Sequence, residues 1–217
     1  MQALSAWLSS ELKARTRLLC FSMDKDPIRG EHISDIFNRG YCKPRMWAQY
    51  ADRHTGICLV FDRERLAELI KRQVEVGRLL YSGPVTYIDR GIAKDLTRDQ
   101  QYTINVDVLE SDGRSTYAAR HLRTHWKKLF FEKMTDWRDE CEWRYVVFTN
   151  SDADLFVAYE QALDGIVFGE ETPPDTIQAV IDATAGRGVR YVGLKWKNCS
   201  PWYDYVSMAG WRVSRPR

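Results

Sequence analysis

Strand-like runs and stretches of helical period alternate along this chain at irregular intervals, and that irregularity is its strongest constraint on fold. Leu4, Trp7, Leu8 and Leu12 recur at helical spacing and lead into a short strand at 18–21. The clearest helix covers 115–134, where Ala118, Leu122, Trp126, Leu129 and Phe130 recur at three or four. Strands follow at 142–150 and 165–169 with no helix of full length between them, and a doubly wound sheet would need a steadier βαβ rhythm. The pattern predicts an α+β fold: one compact domain over residues 1–217, with a mixed, mostly antiparallel sheet and flanking helices.

Turn chemistry sets the remaining boundaries. Residues 22–44 are polar and rich in turn dipeptides such as Asp26-Pro27 and Arg39-Gly40, and read as a long surface excursion. A helix starts at Arg45 and should stop near Gly56, followed by a strand at 57–61. Asp62 is placed to cap a helix running from Arg63 to about Val76. Residues 79–88 suggest two short strands or one bent one, and 89–113 is polar, with a helix from Lys94 onward. Residues 153–163 read as a strand edge and then a short helix. Pro173-Pro174 opens a helix that Gly186 or Gly188 ends, and 189–196 is the last strand.

Composition removes several classes of function. The longest apolar runs, such as Tyr145-Val146-Val147-Phe148, fall far short of the ~20 residues a membrane helix needs, and the chain reads as cytoplasmic with no membrane partner. Its 217 residues can bury roughly 70% of the unfolded chain's surface without staples. The five cysteines lack the spacing of a disulfide framework or a zinc site and read as reduced thiols. A net charge of +2 with both signs interspersed gives no global argument for nucleic acid. The eight Trp and eleven Tyr are core, or they wall a cleft for a planar ligand.

No phosphate loop, GxGxxG, HExxH or GxSxG occurs, which leaves two clusters, around 46–61 and 137–144. Helical spacing groups Trp47, Tyr50, Ala51 and His54 on one face. His54 then either bonds a carbonyl at the helix end, with Trp47 and Tyr50 as core, or carries a proton or binds a hydroxyl. On a strand, Glu140, Glu142 and Arg144 share one face, and Cys141, Trp143 and Tyr145 the other. Two carboxylates about 7 Å apart are an exposed charge ladder, or a site in which Arg144 orients one and like-charge crowding raises the pKa of the other.

Four segments carry a family resemblance: Cys20-Phe21-Ser22; the stretch 46–62, with its Trp47, Tyr50, Ala51, His54, Gly56 and Cys58; Trp137-Arg138-Asp139-Glu140-Cys141-Glu142-Trp143-Arg144; and Ile166-Val167-Phe168-Gly169. In words, order and spacing they resemble the four blocks of the bacterial domain-of-unknown-function family numbered 2971. Gln49 stands where that family has His. The resemblance also implies an Asn-Asp-Pro-Phe block before the first strand, which these residues do not contain.

Glu140-x-Glu142 further resembles the catalytic strand of arginine-directed ADP-ribosyltransferases. That resemblance implies transfer or hydrolysis at a nucleotide-linked sugar, with NAD as candidate cofactor, in bacterial defence or stress. Glu142 would then be the catalytic carboxylate, Glu140 would activate the acceptor, and His54 would complete the catalytic set. Arg45, Trp47, Tyr50 and Arg144 are the ligand-binding candidates, with Arg45 or His54 on the dinucleotide. The alternative is a non-catalytic module that binds nucleic acid or protein through Arg120, Arg123, Lys127 and Lys128 with Arg212, Arg215 and Arg217; those helix cations are otherwise a solvated face. No metal is expected: Glu140 and Glu142 with a histidine make a weak set, and His121 and His125, four apart, look like helix-surface residues.

Overall fold

The computed structural model describes residues 2–74, 78–89 and 99–204. Its helices in chain order are α1 (Gln2–Ala14), α2 (His32–Asp35), α3 (Pro44–Tyr50), α4 (Arg63–Val74), α5 (Val106–Asp112), α6 (Arg114–Phe130) and α7 (Pro174–Ala183). Its strands are β1 (Thr16–Ser22), β2 (Ile57–Phe61), β3 (Leu79–Pro84), β4 (Thr86–Tyr87), β5 (Glu132–Lys133), β6 (Glu142–Phe148), β7 (Leu163–Phe168), β8 (Arg190–Lys197) and β9 (Ser200–Tyr203). The fold is α+β, and most strand pairs are antiparallel. The described residues fall into two compact units, the first within Met1–Phe21 and Val74–Phe156, the second within Ser22–Gln73 and Val157–Arg217. Among the described residues no helix is long and apolar enough to cross a membrane.

The first unit centres on β6, flanked by β1 and β3. Its run of aromatic and β-branched residues suits a central strand, and Tyr145, Val146 and Val147 are buried. β3 runs antiparallel to it, from Leu79 opposite Phe148 to Pro84 opposite Trp143. After Pro84 the chain changes partner: Val85 donates to the Glu142 carbonyl, and β4 then pairs in parallel with β5, setting Tyr87 opposite Lys133. α6 contributes Trp126, stacked on Tyr81 with ring centroids 4.1 Å apart. Two of its buried residues, Tyr117 and Ala118, cluster with Leu8 of α1 and Leu109 of α5.

The second unit is a sheet in the order β2-β7-β8-β9. β7 and β8 run parallel, joined through α7. Side chains alternate across a strand, so Ile166 and Phe168 enter a core with Ile181 of α7, while Val167 enters another with Ile36, Cys42 and Trp47. A strand buried on both faces must be apolar throughout, which is why Ile166-Val167-Phe168 reads as an unbroken run.

Several boundaries differ from the sequence reading. The stretch 22–44 is more than a surface excursion, because two carboxylates pin it: Asp35 accepts from the backbone of Arg29 and Gly30 at 2.9 and 2.7 Å, and Asp24 accepts from Gly40 at 2.8 Å. This anchoring buries Ile36 and Cys42. The hairpin strand β9 was not expected; its turn uses Asn198 and Cys199, both left-handed with φ of 50° and 61°, and cysteine gives no turn signal. Residues 153–158 form neither helix nor strand, and a 3-10 turn covers Glu160–Ala162. Asp62 does cap α4, its carboxylate accepting from the Arg65 backbone at 3.0 Å. The extension of that helix to Val76, the start of the helix expected from Lys94 and the cations Arg212, Arg215 and Arg217 lie outside the described residues; the described part of 89–113 holds a 3-10 turn at Gln100–Tyr102 and then α5.

The largest departure follows α3. The helix ends at Tyr50, and Asp52, Arg53 and His54 follow with φ of 44°, 54° and 73°. A left-handed conformation costs an ordinary residue roughly 1–2 kcal/mol, so the surroundings must hold three in succession. Gly56 donates to Ala51 at 2.9 Å, His54 donates to Trp47 at 3.3 Å, and the His54 carbonyl accepts from Glu171 at 3.1 Å. Gly169 makes room for this turn, since a Cβ there would overlap the His54 carbonyl. Gly169→Ala is therefore expected to destabilise the protein by roughly 1–3 kcal/mol through forced backbone displacement. Urea unfolding of the variant against wild type measures it, and an unchanged midpoint would contradict the close approach.

Candidate functional site

The polar cluster of the first unit is built by three local geometries. Glu142 and Arg144 are two apart on β6, so their side chains share a face. Trp137 and Glu140 are three apart on the 3-10 turn Thr135–Glu140, where positions i and i+3 eclipse. Between that turn and β6 stands Cys141, left-handed at φ 46°. Glu140 therefore does not lie on the strand as expected; a 3-10 turn and one left-handed residue bring it to the same place by another route.

Lys133 of β5 joins the two carboxylates. Its ammonium donates to Glu140 Oε2, lies 3.5 Å from Glu142 Oε2, and sits 4.7 Å from the centre of the Trp137 ring. Arg144 grips Glu142 as a fork, Nε to Oε1 at 2.7 Å and Nη2 to Oε2 at 2.9 Å, while its Nη1 donates to the Phe130 carbonyl at 2.5 Å. The Glu142 backbone N–H donates to the Tyr87 hydroxyl at 2.9 Å. Both glutamates are only 6% exposed, which excludes the solvent-facing charge ladder.

Burial by itself would raise the Glu142 carboxyl. The hydrogen bonds from Arg144 and Cys20, with the charges of Arg144 and Lys133, outweigh it and hold the group below its ordinary 4.5. The carboxylate that Arg144 orients is therefore Glu142, and the Lys133 ammonium stands between it and Glu140. Partial burial and the Glu142 carboxylate together push the Cys20 thiol up to about 12, which suits it to donate to Glu142 as a protonated thiol.

Trp47 and His54 come together in the second unit. Trp47 is buried, its Nε1 donating to the Tyr41 carbonyl at 2.6 Å, and its ring stacks on His54 at 6.4 Å. His54 Nδ1 accepts from Trp196 Nε1 at 3.2 Å. His54 reaches this place from the left-handed turn rather than from the end of a helix. Arg45 and Tyr50 are exposed on α3, Tyr50 at 63%, so Tyr50 is not core.

The basic face of α6 is partly neutralised. Arg120 pairs with Asp112 at 2.7 Å, and Lys128 lies 3.8 Å from Asp99. His121 is buried against expectation, with Nε2 3.1 Å from the Gln101 carbonyl, and its ring is 4.6 Å from that of His125. Among the described residues no group of three or more His, Cys, Asp or Glu side chains could hold a metal ion.

Sequence reasoning placed Glu140, Glu142 and Arg144 correctly as a group and missed Lys133 and Tyr87 as their partners. No local motif marks either: Lys133 follows an apolar helix end and Tyr87 sits in a two-residue strand, and only the parallel pairing of β4 with β5 joins them.

The depressed Glu142 carboxyl makes a pH prediction. A group whose folded pKa lies below its unfolded one stabilises the fold above the unfolded value, and that contribution is lost as pH falls through the folded value. Urea midpoints measured from about pH 7 down to about pH 3 should fall less steeply for Glu142→Gln than for wild type. Parallel pH dependence in the two proteins would contradict an ionised, paired Glu142.

No curated protein and no solved structure matches the chain. Residues 46–145 match the model of the family described as a protein of unknown function, DUF2971, and this shows the family resemblance over the span that holds the second and third sequence blocks.

Proposed function

We propose that this protein is an enzyme acting at a nucleotide-linked ribose, with NAD as the candidate substrate and the Glu140–Glu142–Arg144–Lys133 cluster as its site. The observation that supports this reading is a buried carboxylate, Glu142, kept ionised by a fork from Arg144. A fixed negative charge in a dry setting stabilises positive charge that develops in a transition state. Cleavage of an N-ribosyl bond develops such charge: the C1′–N bond breaks, nicotinamide leaves with the bonding electrons, and an oxocarbenium-like ribose remains. A nucleophile, water or a protein side chain, then bonds to C1′ and gives up its proton to Glu140. In this reading Glu142 stabilises the cationic ribose, Glu140 activates the acceptor, and Arg144 fixes Glu142 in place.

The binding-module alternative draws less support, because Arg120 and Lys128 on α6 already have acidic neighbours in Asp112 and Asp99. His54 is better read as a packed turn residue, held by Trp47 and Trp196.

The test is incubation of the purified chain with NAD, with released nicotinamide quantified by chromatography and thermal shifts followed with NAD, ADP-ribose and short RNA. The expected result is nicotinamide release by wild type that falls by roughly 10²–10³-fold in Glu142→Gln, while NAD still raises the variant's melting temperature. No release and no shift with NAD or ADP-ribose, alongside a shift with RNA, would overturn the proposal.

A further inference from the structure

Two buried carboxylates at one place are a liability unless something answers their charge. Like charges close together in a low-dielectric setting cannot both remain ionised, and the pair ordinarily keeps a proton. Glu140 and Glu142 are each 6% exposed. Arg144 engages both oxygens of Glu142, so its fork is spent on that residue. Lys133 is the group whose ammonium meets both acids, donating to Glu140 Oε2 and standing 3.5 Å from Glu142 Oε2.

The backbone fixes Lys133 for this task. Tyr87 lies opposite it in the parallel β4–β5 pair, the Lys133 carbonyl accepts from Ile88 at 2.9 Å, and the nearby Phe131 carbonyl accepts from Thr86 at 2.8 Å. The Trp137 face covers the ammonium from the same 3-10 turn that supplies Glu140. The Tyr87 hydroxyl completes the setting by accepting from the Glu142 backbone. Among the described residues, the groups facing the two acids include Lys133 from β5, Arg144 from β6, Tyr87 from β4 and Cys20 from β1.

We infer that Lys133 is a positioning residue whose ammonium, held between Glu140 and Glu142, allows both carboxylates to stand ionised side by side and so sets the pH range over which the site works. Its functional meaning rests on reading this cluster as the site, while its electrostatic content stands apart from any activity. Without Lys133 the acid pair takes up a proton at a pH where wild type takes up none. A pair whose folded pKa is raised in this way stabilises the fold at low pH and loses that contribution as pH rises through the raised value.

The experiment compares the full chain as wild type, Lys133→Met and Lys133→Arg, with glutamate side-chain ¹³C shifts and urea midpoints followed from about pH 8 to about pH 5. Lys133→Met is expected to show one carboxyl titrating in that range, moved up by roughly 1–3 pH units, and to gain stability relative to wild type as pH falls. Lys133→Arg restores the wild-type profile because it returns a cation to the gap. If Lys133→Met fails to fold near neutral pH, the double variant Lys133→Met/Glu140→Gln is the second measurement: removing one acid should recover folding and abolish the new titration. A Lys133→Met protein that is destabilised equally at every pH, with no glutamate titrating in the range, would overturn the inference. Absence of nicotinamide release and of any shift with NAD or ADP-ribose, alongside a shift with RNA, would overturn the proposed function and leave this titration result standing.

Discussion

The fork between Arg144 and Glu142 is the interaction on which the candidate site depends. A carboxylate that is 6% exposed cannot remain charged by its own means; it needs donors on its oxygens and a compensating cation nearby. Arg144 supplies the first and Lys133 adds the second, and the Arg144 guanidinium is itself tied to the end of α6 through the Phe130 carbonyl. The pair therefore links a central strand to a helix end, and the short β4–β5 ribbon exists where it must to bring Tyr87 and Lys133 alongside. Removing one partner of such a buried pair leaves an uncompensated charge, which makes the cluster a point of both specificity and fragility.

The second unit solves a different problem, which is how to hold a strained turn. Its three consecutive left-handed residues are kept by backbone hydrogen bonds to Trp47, Ala51 and Glu171 and by the close approach that Gly169 permits. Trp47, buried on one side of the sheet, and Trp196 on β8 enclose the His54 ring. The turn and the β7 end are thus mutually dependent, and this explains why Gly169 closes one of the sequence blocks and His54 sits in another.

What the sequence made legible follows from period and punctuation. The helix expected over 115–134 and the strands expected at 57–61 and 142–150 were readable in kind because of their apolar pattern. The helix nevertheless ends at Phe130, residues 132–133 form β5, and the strand from Glu142 ends at Phe148. Asp62 was readable as a cap because Asp suits that position. The α+β class followed from their irregular order. The turn at Asp52–His54 was not legible, since none of its residues advertises a left-handed backbone; tertiary hydrogen bonds impose it. Strand alternation grouped Glu140 with Glu142 and Arg144 for a reason that proved wrong in detail, because Cys141 breaks the strand with a positive φ. Lys133 and Tyr87 stayed hidden because their role arises from a two-residue pairing that no window of sequence reports.

A double-mutant cycle on Glu142→Gln and Arg144→Met, followed by urea unfolding at neutral pH, tests the central claim most directly. A fork that carries the buried cluster predicts a coupling energy of about 2 kcal/mol or more between the two positions. A coupling below about 0.5 kcal/mol would mean that the two residues contribute independently, and would contradict the account.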